Sequence, residues 1–204
     1  MLFINETFPL LESIFLKDGQ FRHLKLHQKR IDYSRKQALN LEYTLDLEDF
    51  LSQFQILQQG IFKCRILYGV DFKKPEFVAY NYKPINSLKI IEVNTLNYSL
   101  KFSNRAAINE AYNKRQDCDD VLLVKQGFIT DSSYCNIAFR EGDQWFTPDK
   151  PLLKGVQRQY LLDQGIIREQ EIRIVDLVRF SSFKLFNAMI DWQMATEIPV
   201  EAIR

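Results

Sequence analysis

The chain has very few of the residues on which several large enzyme classes depend. Its 204 residues include two histidines, His23 and His27, so a metal-ligand cluster is not expected and a Ser-His-acid triad would need one of them. The seven glycines are not spaced as a dinucleotide fingerprint or a P-loop requires. Three cysteines at wide spacings, Cys64, Cys118 and Cys135, favour neither a disulfide framework nor a zinc site.

Long apolar runs and an excess of one charge are also missing. The longest apolar blocks, such as residues 121–124, have the length of a strand and are far shorter than a bilayer span. The start of the chain lacks the basic stretch and apolar core of a signal peptide. With 27 basic and 26 acidic residues, the chain has no general attraction to nucleic acid or anionic membranes. We therefore expect a cytoplasmic protein that binds neither.

The hydrophobic pattern alternates between strand-like and helical segments. A hydrophobic content of 46% is enough for a substantial core. The pattern breaks near residues 84–87, which predicts a small lobe over residues 1–83 and a larger one over 84–204. Because strands and helices mix without strict alternation, we predict an α+β fold. The predicted strands are residues 11–16, 21–26, 62–68, 76–80, 88–93, 121–124, 135–139, 172–175 and 185–189, and the predicted helices are 27–41, 45–57, 104–115 and 155–162.

Four short motifs go beyond fold class. In chain order they are His27-Gln28-Lys29-Arg30, Lys101-Phe102-Ser103-Asn104-Arg105, Thr130-Asp131-Ser132-Ser133-Tyr134-Cys135-Asn136, and Leu153-Lys154-Gly155-Val156-Gln157. Together and in this order they resemble the class IV aminotransferase family, the pyridoxal-phosphate enzymes of fold type IV. That family includes branched-chain and D-amino-acid transaminases and 4-amino-4-deoxychorismate lyase. The resemblance implies a two-lobed homodimer with pyridoxal 5'-phosphate between its lobes.

The resemblance also implies a catalytic residue and two residues around the cofactor ring. Lys101 stands where the family has the lysine that holds the cofactor and moves protons, a task that needs an amine able to lose its own proton. Asp131 stands where an acid pairs with the pyridine nitrogen and makes the ring a better electron sink. The family normally has glutamate there, so the shorter aspartate is a departure. Leu153 matches a residue packed against the ring.

The cofactor phosphate is assigned by the same resemblance to residues from three parts of the chain. Val156 and Gln157 open a predicted helix, where free backbone N–H groups favour an anion. Arg30 is the charged partner expected to fork onto the phosphate. Asn187 and Ala188 resemble the final turn on the phosphate side.

Substrate recognition cannot be carried over in the same way. The segments before Lys101 that cover the active site in relatives are short in this chain, so Arg65 and Arg22 are only candidates for a substrate carboxylate. The Lys-x-x-Asn-Arg pattern favours 4-amino-4-deoxychorismate lyase, which releases pyruvate and leaves 4-aminobenzoate for folate synthesis. The alternatives are an amino-acid transaminase of the branched-chain or D-amino-acid type, and a catalytically silent remnant that still binds cofactor.

Overall fold

The computed structural model describes residues 8–204, which fall into two units. The first unit contains the chain up to Asn81 together with Leu100–Asn104, and the second contains Tyr82–Ser99 and Arg105–Arg204. The sequence suggested one boundary after residue 83. The contacts instead return a short segment to the first unit, so Lys101 belongs to the first unit and not to the lobe that begins at residue 84.

The returning segment is attached to the first strand of the chain. The backbone N–H of Leu11 donates to the carbonyl of Lys101 at 2.9 Å, and Leu10 forms an antiparallel bridge with Phe102. Leu100 is buried in the core of the first unit, and Phe102 packs against the same core. These two apolar side chains fix the backbone on both sides of Lys101.

The first unit is a four-stranded antiparallel sheet with two helices. Its strand order is β2-β1-β3-β4. The β1–β2 turn is Asp18-Gly19, where both residues have positive φ, as a two-residue hairpin turn requires. Helix α1 turns His27, Ile31, Ser34 and Arg35 inward, the spacing of one helix face. The elements are β1 Leu10–Lys17, β2 Gln20–Phe21, α1 Leu24–Leu39, α2 Leu47–Ser52, β3 Ile61–Tyr68 and β4 Glu76–Ala79.

The second unit contains two sheets, of three and five strands, and two helices. The strand orders are β5-β6-β7 and β10-β9-β8-β11-β12. Strand β6 is buried along nearly its whole length, which explains its continuous apolar run. The elements are β5 Leu88–Glu92, α3 Ala106–Asn113, β6 Asp120–Lys125, β7 Phe128–Ser132, β8 Asn136–Glu141, β9 Gln144–Pro148, α4 Val156–Asp163, β10 Arg168–Gln170, β11 Ser182–Phe186 and β12 Glu197–Pro199, with 3-10 helices at Ile174–Arg179 and Val200–Ala202.

The mixture of helices and separate sheets confirms the predicted α+β class, while three local predictions are wrong. The return strand at residues 21–26 ends at Phe21, because α1 already begins at Leu24. The helix at 45–57 is limited to Leu47–Ser52, after an N-cap at Asp46. The strand at 172–175 is replaced by a 3-10 helix, whose start is fixed by the Asp176 carboxylate accepting from the Arg173 N–H at 2.8 Å.

Residues 8–204 contain neither a membrane-spanning helix nor a cluster of metal ligands. Over residues 8–204 there is no helix long and apolar enough to cross a membrane. The same residues contain no group of three or more histidine, cysteine or acidic side chains placed to hold a metal ion.

Candidate functional site

The polar centre of the first unit is a carboxylate that sequence analysis missed. Glu12 is completely buried on β1, and both of its oxygens are used by side chains of α1. Arg30 donates from Nε to Oε1 at 2.7 Å and from Nη2 to Oε2 at 2.5 Å, a forked pair. His27 Nδ1 lies 2.6 Å from Oε2. The motif His27-x-x-Arg30 is therefore the helix half of a buried cluster of three residues.

The protonation states follow from this arrangement. Burial by itself would raise the pKa of Glu12, but the charge of Arg30 and the contact with His27 outweigh it and lower the pKa to about 2. Burial lowers the pKa of His27, although the Glu12 carboxylate opposes this shift. A neutral His27 then donates from Nδ1 to Glu12. Its buried Nε2 has no hydrogen-bond partner among the described residues and remains an acceptor.

Lys101 belongs to the same unit as this cluster. Its side chain is half-buried, and its charge is close enough to His27 to contribute to the lowered pKa of the imidazole. Arg30 and Lys101, which the sequence assigned separately, are thus both close enough to His27 to lower its pKa.

A sequence signal for Glu12 did exist. The residue lies between Leu11 and Ser13 in a strand that is otherwise strongly apolar, and the strand alternation puts it on the same face as Leu10 and Ile14. An acidic residue on the core face of a strand needs a cationic partner. The basic residues of the following helix were among the candidates in the sequence.

In the second unit, Asp131 ties together two segments of chain. Its side chain is 5% exposed, at the end of β7. Oδ1 accepts from Asn136 Nδ2 at 2.7 Å, and Oδ2 accepts from the backbone N–H of Leu153 at 2.9 Å. Asn136 Nδ2 also donates to the Leu153 carbonyl at 2.9 Å. Leu153 is therefore connected to Asp131 through its backbone, and the role of its side chain against a cofactor ring stays a prediction.

The pKa of the Asp131 carboxyl group is raised toward neutral pH. Burial raises the pKa of Asp131 to about 6, although the hydrogen bonds from Leu153 and Asn136 favour the ionised form. Each carboxylate oxygen can accept two hydrogen bonds. Asn136 and Leu153 use one on each, and the backbone N–H of Leu152 is a weaker third donor. Asp131 therefore retains acceptor capacity for a protonated ring nitrogen. A buried carboxyl with a strongly shifted pKa is also typical of functional sites.

The beginning of α4 is shaped by close packing against Asn136. A Cβ atom added to Gly155, the N-cap residue, would collide with Asn136 Oδ1, so the reason for glycine here is close approach, since its φ is an ordinary −72°. The glycine N-cap has no side chain to satisfy the first N–H groups of the helix. The side chain of Gln157 is 1% exposed, and its Oε1 has no hydrogen-bond partner among the described residues.

These features fit the group that the sequence motifs implied. Val156 and Gln157 occupy the first turn of α4, where unsatisfied N–H groups and the helix dipole favour a phosphate. The unpartnered Oε1 of Gln157 is a buried acceptor, which a hydrogen-bond donor of a ligand could satisfy and a phosphate oxygen could not. In the first unit, Arg30 uses Nε and Nη2 for Glu12, and its contact with a phosphate stays a prediction.

The other assigned residues have clear structural roles. Asn187 donates from Nδ2 to the Tyr134 carbonyl at 3.3 Å, and its Oδ1 accepts from the N–H groups of Met189 and Ile190. It therefore shapes the turn after β11, which also contains the half-buried Ala188. A phosphate contact from this turn stays a prediction.

The two candidate carboxylate ligands lie in the first unit. Arg65, on β3, forms an ion pair with Glu76 at 3.2 Å, and both side chains are partly exposed. The guanidinium of Arg22 lies 3.8 Å from the centre of the Phe15 ring. Neither contact tests a role in substrate binding.

Comparison with known proteins gives an independent view of the chain. Residues 76–198 match the family model described as amino-transferase class IV. An uncharacterized protein of Haemophilus influenzae is 34% identical over 185 residues, which are 89% of this chain and 98% of that protein.

Two solved structures extend the comparison. A protein of Haemophilus somnus, provisionally described as a 4-amino-4-deoxychorismate lyase, is 34% identical with a TM-score of 0.84, and the match covers 90% of this chain and 97% of that one. A hypothetical aminotransferase of Mycobacterium tuberculosis in a pyridoxal-phosphate-bound form has a TM-score of 0.73 over 95% of this chain and 81% of its own, and at 15% identity it is evidence for the fold alone. These matches confirm the two-lobed fold of type IV pyridoxal-phosphate enzymes.

Proposed function

The chain belongs to the class IV amino-transferase family, whose members use pyridoxal phosphate, and we propose that it is a pyridoxal-phosphate-dependent 4-amino-4-deoxychorismate lyase. The observation that carries the proposal is the 34% identity with the Haemophilus somnus protein over nearly the full length of both chains. The same coverage means that the short chain length is shared with a relative. This favours an enzyme of compact form over a remnant that has lost its activity.

In the first unit, the residues proposed to take part in the chemistry are Lys101 and Arg30. When bound, pyridoxal phosphate supplies an electron sink for a carbanion on the substrate. The amine of Lys101 holds the cofactor and then moves the proton of the substrate carbon that carries the amino group. The guanidinium of Arg30 would contribute positive charge toward the phosphate. Glu12 keeps the guanidinium in one orientation through its forked contact.

The second unit contributes the acid and the anion-binding turn. Asp131 accepts the hydrogen of the protonated ring nitrogen, and its carboxylate stabilises the charge that makes the ring electron-poor. The N–H groups of Val156 and Gln157 bind the phosphate at the start of α4. For the lyase, the ring C–O bond to the enolpyruvyl group breaks once Lys101 has taken the proton from the ring carbon that carries the amino group. One proton is returned to the leaving enolpyruvate, so that pyruvate and 4-aminobenzoate together contain all atoms of the substrate.

The activity is tested by supplying chorismate with an aminodeoxychorismate synthase and measuring pyruvate and 4-aminobenzoate. Equal amounts of both products, dependent on this chain, would support the lyase. A parallel panel of L- and D-amino acids with 2-oxoglutarate detects a transaminase, which would refute the lyase and retain the cofactor chemistry. No turnover in either assay, with cofactor bound, would favour the silent remnant.

The assignment of Lys101 has a direct chemical test. We expect borohydride reduction of the loaded protein, followed by peptide mass mapping, to put the pyridoxyl mass on Lys101. Replacement Lys101→Arg retains the positive charge and should abolish labelling. Lys154→Arg, at an exposed lysine, is the matched control and should leave labelling unchanged. A label on Lys125 or Lys154 in the parent chain would refute the assignment.

We also propose that the protein is a homodimer, as the family resemblance implies. Sedimentation equilibrium of the loaded chain measures this, and a monomer at micromolar concentration with full activity would contradict it.

A further inference from the structure

The connection between β7 and β8 is a tight turn that lies between the two residues of the Asp131–Asn136 pair. Within it, the N–H of Ser132 donates to the Cys135 carbonyl at 2.9 Å. Ser132 Oγ in turn accepts from the N–H groups of Tyr134 and Cys135 at 3.3 and 3.0 Å. The position of Asp131 therefore depends on how this turn, residues 132–135, is held.

Arg105 holds the turn at its outer end by two different contacts. Its Nη2 donates to the carbonyl of Ser133 at 2.7 Å, a short hydrogen bond from a charged donor. Its guanidinium carbon also lies 4.3 Å from the centre of the Tyr134 ring. The side chain of Tyr134 is 57% exposed, so this stacking does not serve to build the core.

The other side of the turn is held by Asn187, which donates to the Tyr134 carbonyl. Successive carbonyls of the turn, those of Ser133 and Tyr134, are thus bound by side chains from two distant parts of the sequence. Arg105 is the N-cap residue of α3 and comes four positions after Lys101.

We propose that Arg105 is a positioning residue that fixes the 132–135 turn and, through it, the carboxylate of Asp131. The inference rests on the proposed function, because Asp131 matters to the cofactor only if the chain binds one. It assigns a task to the arginine of the Lys-x-x-Asn-Arg motif that the proposed function leaves unused. The task needs arginine: a lysine ammonium carries charge but cannot both stack as a plane and donate from its edge.

The chain offers a matched control in Arg115. Its guanidinium carbon lies 4.0 Å from the centre of the Tyr112 ring, and its Nη1 donates to the Tyr112 carbonyl at 3.2 Å. The type of contact is the same as at Arg105, an arginine on a tyrosine ring and a backbone carbonyl. Among residues 8–204, Arg115 makes no direct contact with the 132–135 turn. The Tyr112 ring on which it stacks meets the Tyr134 ring edge-on, with 6.1 Å between the ring centres, so the control also covers a change transmitted through Tyr112. The comparison of Arg105→Met with Arg115→Met therefore separates the turn from the general loss of an arginine–tyrosine contact.

The first measurement is amide hydrogen exchange of the cofactor-free full chain. In Arg105→Met we expect exchange in residues 132–136 to increase about tenfold, the factor that corresponds to about one lost hydrogen bond, and in Arg105→Lys by less. Arg115→Met should leave this segment as in the parent. The second measurement is the dissociation constant for pyridoxal phosphate, which we expect to increase about tenfold in Arg105→Met and to stay unchanged in Arg115→Met.

Each alternative outcome has a distinct meaning. Equal exchange of residues 132–136 in the two methionine variants would overturn the proposal. Faster exchange in Arg105→Met with an unchanged dissociation constant and unchanged proton abstraction would overturn it as well, because the turn would then not position Asp131. A parent chain that binds no pyridoxal phosphate would instead refute the proposed function, and the exchange data would still decide whether Arg105 anchors the turn.

Discussion

Replacing Asp131 by asparagine should make the cofactor-free protein more stable at neutral pH. The same replacement should slow proton abstraction by the cofactor-loaded protein. The pKa of this buried carboxyl is raised from 3.8 in the unfolded chain to about 6 in the folded protein. A raised pKa means that the folded state binds the proton more tightly. The stability contribution of the group is therefore fully present below about pH 4 and is lost as the pH rises through about 6. A shift of about 2 units corresponds to ~3 kcal/mol.

The measurement is the difference in unfolding free energy between the parent and Asp131→Asn, by urea denaturation of the cofactor-free proteins. Between about pH 4.5 and pH 7.5 we expect the parent to lose about 2 kcal/mol relative to the variant, because most of the titration lies in this interval. The titrations of Glu12 and His27 occur in both proteins and cancel in the difference. The variant also loses one of the hydrogen bonds that Asp131 accepts, but this loss does not depend on pH.

The kinetic half of the prediction has the opposite sign. With cofactor bound, Asp131→Asn should abstract the substrate proton much more slowly in single-turnover experiments, since the carboxylate acts where charge develops. Asp131→Glu restores the residue usual in the family and is the control. Parallel stability curves for parent and variant would refute the raised pKa. Proton abstraction at the parental rate would reduce Asp131 to a turn residue.

Two further predictions concern Arg30 and the start of α4. Arg30→Ala should weaken cofactor binding by about ten- to a hundredfold, the loss of one charge-assisted contact, measured by titration of the cofactor-free protein, and an unchanged dissociation constant would limit Arg30 to its contact with Glu12. Gly155→Ala should destabilise the fold by about 1–3 kcal/mol, because the new methyl group collides with the Asn136 amide, and equal melting temperatures for parent and variant would contradict the packing described for α4.

The sequence predicted the fold where local rules are strong. The strand at residues 62–68 is confirmed as Ile61–Tyr68, and the Asp18-Gly19 turn adopts the positive φ angles expected of it. Prediction from the sequence failed where tertiary contacts determine the local structure. Residues 21–26 contain enough apolar side chains for a strand, but the chain enters the left-handed region at His23 and starts a helix instead. The attachment of Lys101 to β1 depends on pairing between distant segments, which periodicity does not reveal.

The residues of the candidate site show a similar division. The motifs contained Arg30 and Asp131, because both belong to short patterns with a recognisable order. The partners that set their charge were less visible, since Glu12 lies 18 positions from Arg30 and the backbone of Leu153 lies 22 positions from Asp131. Sequence patterns therefore indicated which groups could carry chemistry, and the structure was needed to find what holds them.

Two of the buried carboxylates, Glu12 and Asp131, illustrate how environment assigns different tasks to one chemical group. Glu12 faces a guanidinium and an imidazole, which hold its pKa at about 2, so it stays ionised at all physiological pH values and acts as a fixed anchor. The hydrogen-bond donors described for Asp131 are neutral and the charge of Arg158 lowers its pKa only partly, so burial dominates and raises the pKa to about 6. The ionised Asp131 carboxylate destabilises the fold as long as no cationic ligand is bound to it. A purely structural role in the turn leaves this loss of stability unexplained, whereas pairing with a protonated ring nitrogen would offset it.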